Sequence, residues 1–190
     1  MKRIITIVFS AVLCFSISAQ EHFKFKGVEI NGSISSFEKK LKQQIPDLKG
    51  EEGVYKGTFA SKECDIYCFA NSQGNVHTVA VVFPDVSSWT VLKSSFLDYC
   101  SIMDEKYGAA SKKIRRFESP YEDGDGYEIS AIRQDKVSYL NYYETEVGDL
   151  IVSIHEGNTF GTAGILIYYT DKANKAVEDR AKEKAAYDDF

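Results

Sequence analysis

Two stretches of the chain repeat apolar residues at helical spacing, and most of the remainder alternates apolar with polar positions. The longer helical stretch is Phe83–Gly108, FPDVSSWTVLKSSFLDYCSIMDEKYG. Within it Trp89, Leu92, Phe96, Tyr99, Met103 and Tyr107 fall three or four apart, which places them on one side of a helix. Ser87 or Ser88 supplies the N-cap, because a serine hydroxyl accepts from a free N–H of the first turn. Gly108 is placed to stop the helix in left-handed backbone. The spacing predicts a helix of roughly 28 Å, long enough to cross a sheet, with Trp89, Leu92, Phe96 and Met103 buried. The second stretch sets Ile34, Phe37, Leu41 and Ile45 on one face, with Ser33 or a Ser35/Glu38 capping box at its start and Pro46 at its end.

Strand signals surround both helices. Phe23 and Phe25 alternate with polar residues, and Gly27 permits a bulge before Val28 and Ile30. Asp47–Gly53 reads as a charged loop, followed by strands over Val54–Ala60, Cys64–Ala70 and Val76–Phe83. The last is nearly continuous apolar sequence, as expected of a central strand. After the long helix come a strand over Ser111–Phe117, an acidic turn over Glu118–Gly126, and a hairpin of Tyr127–Arg133 with Val137–Glu144. Val147–Asp149 turns into Leu150–His155, Gly157–Gly164 is a loop, and Ile165–Tyr169 is the last strand. The fold class is α+β, an antiparallel sheet of about seven to nine strands packed by two main helices. One domain spans 20–171. Its halves, 20–86 and 87–171, each read as a helix followed by antiparallel strands, a tandem plan in which Gly74-Asn75 before Val76 matches Gly148-Asp149 before Leu150. Residues 172–190 are charged, with only Ala173, Val177, Ala181 and Ala185 on one weak stripe, as in a tail or weakly held helix.

Composition adds a compartment. Lys2 and Arg3 precede an apolar run from Ile4 to Phe15, and Ser16-Ile17-Ser18-Ala19 supplies small residues. This is the layout of a secretory signal peptide over 1–19, cleaved near Ala19, and it is too short for a membrane span. Its removal takes two of 23 basic residues and none of 28 acidic ones, so the formal charge moves from −5 to −7. Such an acidic chain is a poor partner for phosphate backbones, so nucleic acid is disfavoured. No later apolar run reaches membrane-spanning length. The expected location is secreted or periplasmic.

Five blocks of residues form a recognisable pattern. They are Phe25-Lys26-Gly27 with Ile30-Asn31-Gly32-Ser33; Gly57-Thr58-Phe59; Phe83-Pro84 with Ser88-Trp89, Leu92 and Lys106-Tyr107-Gly108; Gly148-x-x-Ile151; and Tyr169-Thr170-Asp171-x-x-Asn174. The pattern resembles a group of uncharacterised secreted proteins of Bacteroides-type bacteria over about residues 23–175. The tandem helix-plus-sheet layout is similar, at the level of fold alone, to the β-lactamase-inhibitor protein. Fold similarity does not carry function across.

Candidate chemistry is sparse. Serine-elbow, phosphate-loop and His-Glu-x-x-His motifs are all missing, and no cofactor is implied. Cys64 and Cys68, four apart in a strand, lie ~13 Å from each other and cannot pair. A disulfide would join Cys100 to one of them, Cys68 being the candidate; the alternative is that all three are small buried residues. Asp123, Asp125 and Glu128 on the acidic turn are the candidate calcium ligands, against a solvated turn. A Cys100–His155 nucleophile pair is conceivable, but no spacing supports it. Tyr139, Tyr142, Tyr143 and Tyr168 (with Tyr169) form the candidate binding cluster, since tyrosine joins rigid area to a hydroxyl. The competing reading packs alternate tyrosines beneath the helices. The expected function is a binding or interaction module for a protein or glycan, in an oligomeric state the sequence leaves open. The alternative is a hydrolytic enzyme with a site assembled from distant carboxylates or Cys/His.

Overall fold

The computed structural model describes residues 20–188; the segment 1–19, read above as a signal peptide, lies outside them. The chain begins with a two-stranded hairpin, β1 (Lys24–Phe25) and β2 (Val28–Glu29). Lys26 and Gly27 both have positive φ, +50° and +79°, so this is a tight turn of the mirror-image type that suits strand twist, not the bulge the glycine suggested. Helix α1 (Ile34–Gln44) follows, with the Ser33 hydroxyl accepting from Ser36 N at 3.2 Å. Then come β3 (Lys49–Glu51), β4 (Val54–Phe59), β5 (Lys62–Ala70) and β6 (Val76–Val82). Helix α2 (Trp89–Tyr107) is capped by Ser88, whose hydroxyl accepts from Val91 N, and Gly108 closes it with φ +83°. The second half continues with β7 (Lys112–Phe117), α3 (Glu128–Arg133), β8 (Val137–Glu144), β9 (Gly148–Glu156), β10 (Ala163–Asp171) and α4 (Lys172–Asp188).

Among the described residues β3 to β10 form one eight-stranded antiparallel sheet in the order β3-β4-β5-β6-β10-β9-β8-β7. The order is mirrored about its middle. Each half supplies four strands to this sheet after a helix, α3 being an addition in the second half, and the last strands of the two halves, β6 and β10, pair at the centre. The equivalent of β6 is therefore β10, so the expected match of Val76 with Leu150 was one strand out of step. The tract Glu128–Arg133, expected as a strand, is helix α3. Its chain reverses at once, with Lys136 N donating to Ala131 O at 2.9 Å. Six residues are too few for apolar periodicity to separate helix from strand.

One face of the sheet carries the core. Tyr55, Cys64, Ile66, Cys68, Val79, Val81, Tyr139, Tyr143, Leu150, Val152, Ile165, Ile167 and Tyr169 are all buried there, under Phe37 and Leu41 of α1, Leu92, Phe96 and Met103 of α2, and Ile132 of α3. Leu92, Phe96 and Met103 are buried as expected. Trp89 is only half-buried: it sits at the margin, edge-on to Phe117 and Tyr139.

The blocks that carried the family resemblance fall on tight packing. A β-carbon at Gly148 would stand 2.3 Å from Phe23 Cγ, and one at Gly57 would stand 3.2 Å from both Ile45 and Leu48 side chains. Asp171 is fully buried. It caps α4 by accepting from Asn174 N at 2.8 Å and holds the N-terminal hairpin by accepting from Phe23 N at 2.8 Å and His22 Nδ1 at 3.1 Å. The Asn174 side chain donates to Ile30 O and Val76 O, and Asn71 Nδ2 donates to Asn174 O. Replacing Asp171 by Ala strands these donors in the interior. We expect a loss of about 3 kcal/mol, read from denaturant unfolding, whereas Ala at exposed Glu29 changes stability by less than about 0.5 kcal/mol.

Candidate functional site

Side chains on successive strand residues point to opposite faces, so the tyrosines divide. Tyr139 and Tyr143 face the core and are 5% and 2% exposed. Tyr143 donates its hydroxyl proton to Cys100 O at 3.0 Å. Tyr169 likewise packs inward, against Phe23, Phe25 and Phe59. Tyr142 and Tyr168 point the other way and are half-exposed. The proposed cluster therefore splits, two of its four members serving the core and two lining the outer face.

The outer face adds residues that no motif marked. The strand registers set Tyr67, Ala80, Tyr168, Ile151 and Tyr142 in one row across five strands. A second row runs Val82, Leu166, Ser153, Leu140 and Ile114. At ~4.8 Å per strand the first row is roughly 19 Å wide. Of its large side chains, Tyr67, Tyr168, Ile151 and Tyr142 are all half-exposed, and Phe69 and Val54 beyond it are 46% and 55% exposed. Burial and the neighbouring Asp149 push the Tyr142 hydroxyl up to about 12. Helix α4 meets the sheet where β5 turns into β6: Glu178 accepts from Ser72 N there, and burial beside Lys175 lowers the His77 imidazole. The signal that could have found this face is the tract Cys64–Ala70, apolar on both sides of one strand.

The remaining candidates take structural places. Asp123 accepts from Trp89 Nε1 at 2.9 Å and Lys93 Nζ at 2.6 Å. Asp125 accepts from Glu122 N and Tyr127 N, and buried Glu128 from Gly124 N. The three carboxylates are thus occupied by donors of their own loop and of α2. Among the described residues no group of three or more His, Cys, Asp or Glu is disposed to hold a metal. Cys64, Cys68 and Cys100 are free and buried. Cys68 lies under the first half, near Glu38, and Cys100 under the second, beside Tyr143, so the candidate disulfide pair is held as two separate thiols. Burial pushes the Cys100 thiol up to about 11, the opposite of an activated nucleophile. His155 is turned from it: its Nδ1–H donates to Glu156 O at 2.6 Å, and its Nε2 closes over Gly164 beside Asp85.

A cleft of about 450 Å³ opens where the β4–β5 hairpin diverges from β6. Asp47, Glu63, Asp65 and Asp85 line it with Lys49 and Lys56. Lys56 pairs with Asp65 at 3.7 Å. Asp85 Oδ2 accepts from Asn158 N, which fixes the β9–β10 turn, and Asp47 accepts from the Thr58 hydroxyl.

Comparison with known proteins found no matching family model, curated protein or solved structure. No helix among the described residues is long and apolar enough to cross a membrane.

Trp89 is the sole tryptophan and reports on Asp123. Burial raises that carboxyl, but the bonds from Lys93 and Trp89 outweigh it and the net shift is downward. A lowered folded-state value means that the contact is intact at neutral pH and is lost as pH falls through that value. We expect the tryptophan emission to change with a midpoint below 3.8, the ordinary value for this carboxyl, and the transition to vanish in Asp123→Asn. Iodoacetamide at pH 8 should leave Cys64, Cys68 and Cys100 unmodified in the native protein and label all three after unfolding.

Proposed function

We propose that this chain is a secreted or periplasmic binding module that engages a protein partner through the outer face of its sheet. One observation carries the reading: the half-exposed row Tyr67, Tyr168, Ile151 and Tyr142 lies on adjacent hydrogen-bonded strands beside Val82, Leu166 and Leu140. Tyrosines interleaved with aliphatic residues on a rigid surface give large contact area at low cost in side-chain entropy. A patch of this kind fits the apolar centre of a protein interface. Ring and aliphatic side chains make up most of the two central rows, with Ser153 between them and Asp149 beside Tyr142 at the margin. The signal-peptide layout of residues 1–19 supports the compartment.

A hydrolytic reading has the cleft between the β4–β5 hairpin and β6 in its favour, where carboxylates from three separate segments gather. Lys56 and Thr58 neutralise or bind two of them, so the sheet face is the stronger candidate.

The test places a photo-crosslinking amino acid at position 168 or 142, and separately at Lys49 in the cleft, and irradiates cells producing the protein. We expect one discrete adduct with another protein from 168 and 142, lost in Tyr67→Arg, and none from 49. Adducts from 49 alone, or none from the sheet face, would overturn the proposal. Adducts with a second copy of the chain would recast the face as a self-association surface.

A further inference from the structure

We propose that β7 accepts an extended acidic segment of a partner protein as an added strand. Among the described residues β7 is the last strand on its side of the sheet, so half of its backbone groups have no neighbouring strand there. Which half follows from the ladder. Phe83 N donates to Ile165 O, which turns the backbone of Ile165 toward β6 and that of Leu166 toward β9. The pairings Leu166–Ser153, Ser153–Leu140 and Leu140–Ile114 run without a register shift. Alternation then directs the N–H and C=O of Ile114 toward β8 and those of Lys113, Arg115 and Phe117 to the open edge.

The edge is long, unbulged and cationic. Its sequence is KKIRRF, with Lys112, Lys113, Arg115 and Arg116 all exposed. The opposite edge differs: β3 has three residues and is interrupted by Gly50 at φ +116°. Cations on an edge strand normally prevent chains from pairing with one another. Two copies of β7 laid antiparallel would set cation against cation, which is destabilising. The same charges favour a strand that alternates Asp or Glu with apolar residues, so the edge rejects its own kind and admits an opposite one. Arg115 is committed at home, stacked 4.4 Å from the Tyr139 ring centre and bonded to Ile114 O and Leu140 O. Lys113 and Arg116 pair with Asp104 and Glu118 at 3.3 and 3.1 Å, but exposed pairs of this kind are worth little and exchange readily. Lys112 and Arg116 project on the same face as the tyrosine row, at its edge. The proposal does not depend on that row, because backbone pairing uses the strand edge rather than the face.

The test is amide hydrogen exchange of the protein with three probes: a nine-residue peptide alternating Glu with Val and Thr, the same peptide with Lys for Glu, and inorganic polyphosphate. We expect the acidic peptide to slow exchange at Lys113, Arg115 and Phe117 at least about tenfold, and high salt to weaken the effect. In a double variant, Lys112→Glu with Arg116→Glu, preference should pass to the lysine peptide while the amides of β6 and β10 keep their protection. No slowing by the acidic peptide would overturn the proposal. So would equal slowing by both peptides, or equal slowing by polyphosphate, which would make β7 a simple anion patch.

Discussion

A single buried carboxylate ties the chain together. Asp171 ends the last strand, starts the last helix and receives the backbone of the first hairpin, three jobs for one side chain with no exposure to water. Its neighbour Asn174 extends the knot to Ile30 and Val76, so the N-terminal hairpin, the β5–β6 turn and the C-terminal helix meet at one point. A buried charge is tolerated only when donors surround it, and those donors come from segments up to 149 residues apart. The apolar core gives the fold its cohesion. The knot fixes which ends meet.

That closure also decides what the sheet can offer. Helices α1, α2 and α3 share one face, and α4 starts from its cap on Asp171 and runs by the β5–β6 turn at one end of the sheet. What remains is a wide, ordered surface bearing tyrosine and aliphatic side chains, bounded on one side by a cationic strand. The acidic turn and the thiols are weaker grounds for function: the carboxylates of the turn are occupied, and the thiols are buried with raised pKa values.

Much of the architecture was readable from local chemistry. Ser33, Ser88 and Gly108 announce the ends of α1 and α2, because capping depends on residues within one turn. The alternation of Tyr139, Tyr143 and Tyr142 was equally plain, but not which set lay beneath the helices, since that depends on strands paired far along the chain. Helix α3 escaped because EISAIR is short and satisfies a two-residue period as well as a helical one. Trp89 was expected inside; its indole N–H needed an acceptor, and Asp123 at the margin provides it. The glycines at 57 and 148 were visible as a pattern, yet their cause, the closeness of Leu48 and Phe23, exists only in three dimensions.

The mirrored strand order has a consequence for how the molecule comes into being. The seam between the halves is β6 against β10, and β6 is VHTVAVV, nearly all buried. Until β10 is synthesised some eighty residues later, the first half carries its most apolar strand as a bare edge. A fragment ending near residue 86 would present that edge to any similar strand, including another copy of itself. Either half without the other would leave its side of that seam uncovered.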